Sequence, residues 1–161
     1  MSAPRFRPQV EQLDGRCLPS ANPTISIGDA FVTEGNSGQT ALVFTVSLSK
    51  ASNRQVSVNY ATADEPYPWT SAIAGSDYAQ TAGMLTFAPG ETTKTITVLV
   101  NGDTDYEGTE TFLVNLSSAR GAKIADATGY GVIVDDGDPP PDFGDGGGPA
   151  PPPSDYGGIG I

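Results

Sequence analysis

Apolar and polar residues alternate with a period of two through most of the middle of this chain. In ALVFTVSLS, Leu42, Phe44, Val46 and Leu48 alternate with Val43, Thr45 and Ser47. Neighbouring side chains of a strand point to opposite faces. Alternation this rich in β-branched and aromatic residues therefore predicts a strand with one face buried. QVSVNYATA repeats the pattern with Val56, Val58 and Tyr60, TTKTITVLV with Ile96, Val98 and Val100, and ETFLVNLSS with Phe112, Val114 and Leu116. MLTF is shorter, and TISIGDAFVTE and KIADATGYGVIVDD complete the set. Turn-forming residues fill the gaps, as in GNSG, LSKASN and FAPGET, where Pro89-Gly90 suits a type II turn. No segment carries helical periodicity over ten residues. Seven strands over ~115 residues predict an all-β fold, an antiparallel seven-stranded sandwich of two sheets.

The ends of the chain read differently. Residues 1–23 hold Pro4, Pro8, Pro19 and Pro23, which break any long element, and three Arg against two acids. This is an N-terminal leader, expected to be disordered. Its VEQLDGRCLPS resembles the short LEDR-x-LPS leader of surface or exported proteins of some bacteria, with Asp14-Gly15-Arg16 where such leaders have Glu-Asp-Arg. That resemblance implies export to the cell surface or medium. Residues 139–161 contain seven Gly and seven Pro. Such a segment buries too little apolar area to offset chain entropy, so a disordered Pro/Gly-rich tail is expected. One domain, residues 24–138, lies between.

Charge narrows the function. The chain has 161 residues, 19 acids and 8 bases, and a net charge of −11. That balance argues against nucleic acid and against an anionic membrane surface, and favours cations or solubility. There is no His, the commonest general base and the commonest zinc or copper ligand. Cys17 stands alone, so no intrachain disulfide forms. It reads as a passenger in the leader or as an intermolecular or lipid attachment point. No apolar run approaches the ~18 residues of a transmembrane helix. Without His or a nearby Cys no catalytic triad assembles, and one small sandwich offers little cleft for a carboxylate pair to act as acid and base. No enzyme activity is expected.

The acids are unevenly placed. Glu34 closes the first predicted strand and Asp64 the third. Asp103, Asp105, Glu107 and Glu110 crowd between the fifth and sixth, and Asp135, Asp136 and Asp138 close the seventh. If strands alternate in direction, all these groups converge on one pole. Two carboxylates ~4 Å apart repel by on the order of 4 kcal/mol at an effective dielectric of 20, so such a cluster calls for a counterion. Ca²⁺ is the hard dication that takes six to eight oxygens flexibly, whereas magnesium keeps its waters and zinc wants nitrogen or sulfur. Charge alone leaves two readings open, a calcium site or solvated acidic loops. No EF-hand loop is present.

The motifs themselves add to this. VTEGNSG, NYATAD, AGSDY, GMLTFAPGETTKTITV, DTDYEGTETFLVNLS and GVIVDDGD span nearly all of residues 24–138. In them the chain resembles a Calx-beta domain, the module of sodium–calcium exchanger regulatory regions and of many bacterial surface proteins. The resemblance implies an immunoglobulin-like sandwich whose loop acids at one end hold Ca²⁺. It implies metal ligands at Glu34, Asp64, Asp103, Glu107, Glu110, Asp135 and Asp136, with Asp105 and Asp138 less securely matched. Gly102 stands where the strongest calcium binders have an acid, and Gly137 interrupts the terminal acids. A structural or adhesive role at the cell surface is expected.

EPYPWTSAI makes the loop after the third strand about five residues longer than is usual in the family, and carries Tyr67 and Trp69, with Pro66 and Pro68 stiffening it. Such a stiff aromatic loop either folds back on the sandwich edge or recognises a partner by stacking or insertion. The alternative function is therefore a protein- or glycan-binding module with a degenerate calcium site, working through the Tyr67–Trp69 loop. Asp77 and Tyr78 in GSDY read as structural, an Asp turn beside a packed Tyr.

Overall fold

The computed structural model describes residues 22–67, 70–105 and 107–136. The leader with Cys17, the tail, Trp69, Gly137 and Asp138 lie outside them.

Nine strands form: β1 Thr24–Ile27, β2 Ala30–Thr33, β3 Gly38–Leu48, β4 Val56–Asp64, β5 Ala82–Phe87, β6 Thr93–Gly102, β7 Glu110–Arg120, β8 Lys123–Ile124 and β9 Thr128–Val134. They build a four-stranded sheet ordered β6-β3-β1-β8 and a five-stranded sheet ordered β2-β9-β7-β4-β5. Among the described residues there is no helix.

Two of the seven predicted strands divide. The first breaks at Gly28-Asp29. Gly28 N donates to Thr45 O of the four-stranded sheet, while Asp29 Oδ1 accepts from Tyr130 N of the five-stranded sheet. The chain changes sheets there, because a glycine and a short polar residue allow the backbone to swing across the sandwich edge. The last predicted strand divides in the same way, with Ala125 N donating to Ile25 O. Both divisions create short parallel pairings, β1 with β8 and β2 with β9, within an otherwise antiparallel sandwich.

The alternating residues meet between the sheets. Ile25, Phe44, Val46, Val58, Val98 and Val114 are each fully buried. Phe112 packs edge-on against Phe44 (6.0 Å between centroids) and stacks on Tyr78 at 4.1 Å. Gly131 makes room for this cluster, since a Cβ there would lie 2.5 Å from Phe112 Cζ.

Register decides what gathers at each pole. Gly38 opposes Gly102, Asp64 opposes Phe112, Glu110 opposes Ile133, and Thr33 opposes Val134. So β2, β4, β6 and β9 end where β3 and β7 begin, and the acidic segments meet there.

Candidate metal centre

Each acid at this pole is held by a strand end or a tight loop. Glu34 follows β2, and its N donates to Val134 O at 3.1 Å. It is only 7% exposed. Burial, and then the charges of Asp103, Glu107, Asp135 and Asp136, push its carboxyl up to about 7.

The β6–β7 connection supplies the next group. Asp103 Oδ1 accepts from Asp105 N at 2.8 Å, which curls the loop. Asp135, just past β9, accepts through Oδ2 from Glu107 N at 3.2 Å and Gly108 N at 3.3 Å. The terminal acidic segment is thereby pinned to the loop. Burial and the charges of Asp77 and Asp103 raise the Glu107 carboxyl. Asp136 lies beside this group, exposed.

Glu110 opens β7. Its Oε2 is buried and has no hydrogen-bond partner. Burial, then the charges of Asp77 and Glu107 and a hydrogen bond to Asp77, push its carboxyl up to about 8. Asp77, Glu107 and Glu110 each present an oxygen within 4.8 Å of the others. The all-oxygen donor set and the orphaned Glu110 oxygen fit a hard dication such as Ca²⁺.

Asp77 thus joins the cluster, though GSDY read as structural. It does both: only 5% exposed, it accepts from Ile73 N at 2.6 Å through Oδ2. Its carbonyl accepts from Asn101 N of β6. The signal was available, since the loop after β4 leaves and returns at the acidic pole and must carry Asp77 there. Asp64 is placed differently from the other sequence candidates. Its Oδ1 accepts from Tyr78 Oη at 2.6 Å and from Ala74 N at 3.0 Å. The same hydrogen bond, with burial as the larger cause, raises the Tyr78 phenol.

The insert has a framing role. Thr111 N donates to Thr70 O and Ala72 N to Thr111 O, so residues 70–72 lie along the start of β7 beside Glu110. Glu65, absent from the sequence-derived ligands, accepts from Thr111 Oγ1 at 2.6 Å and ties the insert's first half to the same residue. Tyr67 is 69% exposed.

Gly102 also has a structural reason. A Cβ there would collide with the carbonyl oxygen of Gly35. The Glu34–Gly38 turn therefore sits directly on the backbone at this position, in space that an acidic side chain would need.

The chain and its sandwich are similar to known proteins. The sequence model of the Calx-beta domain matches residues 23–137. Extracellular matrix organizing protein FRAS1 of Mus musculus is 31% identical over 121 residues, which is 73% of this chain and 3% of that protein. Sodium/calcium exchanger 1 of Rattus norvegicus is 50% identical over 50 residues, 31% of this chain and 5% of the exchanger. The chain therefore matches only a small fraction of each relative's length. Among solved structures, the apo-form Calx CBD1 domain superposes with a TM-score of 0.58 at 25% identity, covering 71% of this chain and 98% of that one. The calcium binding domain CBD12 of CALX1.1 gives 0.59 at 27% identity, covering 70% and 45%. With this sandwich and these matches, the chain belongs to the Calx-beta domain family, a family of regulatory and binding domains.

Proposed function

We propose that residues 24–138 form a calcium-binding module, with Asp77, Glu107 and Glu110 as its central ligands. Glu34, Asp103, Asp135 and Asp136 stand around them as further donors. The observation that carries this reading is Glu110, whose Oε2 is buried and unpartnered and whose carboxylate converges with those of Asp77 and Glu107. A bound Ca²⁺ would supply the countercharge that this pole lacks. Asp64 is given a positioning role: it holds Tyr78, and Tyr78 carries Asp77 on the next residue.

The relatives and the leader support a wider role. A matrix-organising relative and an exchanger relative support an extracellular or cell-surface module, structural or adhesive rather than catalytic. The export-type leader points to the same compartment, on a bacterial cell. Exposed Tyr67 supports a second reading, recognition of a protein or glycan through the Tyr67–Trp69 loop.

Thermal unfolding of the full chain in EDTA, CaCl₂ and MgCl₂ tests the calcium reading. The melting temperature is expected to rise with calcium and not with magnesium. At a hundred-fold excess over the dissociation constant, one ion adds about 2.7 kcal/mol. Affinity is expected in the ~0.1–1 mM range of extracellular modules. A melt indifferent to calcium overturns the reading.

A further inference from the structure

Charge is segregated along the long axis of the sandwich. Ten carboxylates stand on the strand ends and loops of one pole, and no Lys or Arg is found there among the described residues. Every described base lies toward the other pole. Lys50 and Arg54 sit on the β3–β4 loop, Arg120 ends β7, Lys123 opens β8, and Lys94 is the second residue of β6. Lys94 is occupied by Glu91 at 2.9 Å. Lys50, Arg54, Arg120 and Lys123 are exposed and lie on adjoining loops. Thr24 pairs with Lys123 and accepts from Ser49 N, beside Lys50. Ser57 pairs with Arg120, and a Cβ on Gly121 would lie 3.0 Å from Gln55 O, beside Arg54. Among the described residues, Asp126 is the one acid at that pole besides Glu91.

The poles cannot neutralise each other within one molecule. Strands of this length separate them by roughly 30 Å. The Debye length at physiological salt is ~8 Å. The net charge of −11 opposes approach between copies in most orientations. One orientation sets opposite charges face to face.

We propose that the protein associates head to tail with a second copy of itself, the Lys50–Arg54–Arg120–Lys123 pole of one copy docking on the carboxylate pole of the next. The contact is heterologous, so it extends into open chains instead of closing as a dimer. Calcium disperses these chains, because it takes the negative charge that the cations need. This last part alone rests on the calcium reading above.

Sedimentation velocity of the full chain over a concentration series tests the proposal, at about 0.01 M and about 1 M salt, where the Debye length falls from ~30 to ~3 Å. In EDTA at low salt the sedimentation coefficient is expected to rise with concentration, and at high salt to stay constant. Arg120→Glu/Lys123→Glu and, at the other pole, Asp105→Lys are each expected to abolish the rise, with circular dichroism melts confirming that both fold. A coefficient that never rises overturns the proposal. So does a rise that both charge variants retain, or a basic pole that binds heparin while copies stay apart. Chains that survive calcium while calcium raises the melting temperature overturn the competition. Chains that survive calcium with an unmoved melting temperature overturn the calcium reading and leave the association standing.

Discussion

Tyr78 donates its phenolic hydrogen to Asp64 across 2.6 Å while its ring stacks on Phe112 at 4.1 Å. One side chain thus ties the loop after β4 to the core and to a carboxylate at the acidic pole. Because Asp77 is the neighbouring residue, this anchor sets where a candidate ligand stands.

Asp64→Ala is therefore expected to act on stability first. It leaves a buried phenol without its acceptor, which costs about 1–3 kcal/mol. Chemical denaturation should show that loss in EDTA, and calcium titration should still show a melting-temperature rise. Loss of the calcium response with unchanged stability in EDTA would instead make Asp64 a direct ligand.

Glu110→Gln should have the opposite signature. The substitution keeps the volume and removes one of three converging carboxyl groups. Stability in EDTA is expected to hold or rise. The calcium increment of about 2.7 kcal/mol at a hundred-fold excess should largely vanish. Paired melts in EDTA and CaCl₂ read both effects.

Acidity should stabilise the calcium-free protein. Glu34 and Glu110 titrate at about 7 and about 8 when folded, against an ordinary value of 4.5. Between those limits the folded state holds protons that the unfolded chain has released, so stability falls as pH rises. Their contribution is full below 4.5 and gone above about 8. Denaturant midpoints across pH 5–9 in EDTA should decline accordingly. In calcium the decline should flatten, since ligation requires deprotonated carboxylates and apparent affinity grows with pH.

Gly102→Asp is expected not to restore a ligand. The new Cβ would collide with Gly35 O, a backbone atom with little freedom to retreat. Overpacking of this kind costs about 1–3 kcal/mol. Calcium titration of the variant should show no tighter binding than the parent chain.

Much of this molecule was legible in its sequence. The two-residue period marked which side chains face inward, and Phe44, Val58, Val98 and Val114 do so. A strand has only two faces, so alternation is enough to assign them. Strand direction then brought Glu34, Asp103, Glu107, Glu110 and the Asp135-Asp136 pair to one end, because successive strands reverse.

Other features depended on paths that local pattern does not encode. Gly28 as a crossing between sheets needed the partners of both halves, Thr45 and Tyr130. The placement of Asp77 beside Glu107 and Glu110, with Asp64 against Tyr78, is of the same kind. Asp64 and Asp77 both sit in acidic, turn-rich stretches. Which carboxylate turns toward Glu107 and Glu110 is decided by Tyr78 closing onto Phe112, a contact 34 residues away in the chain. Residue type and spacing specify what a segment can do; only the packing of distant segments decides which of its groups loses water and meets the others.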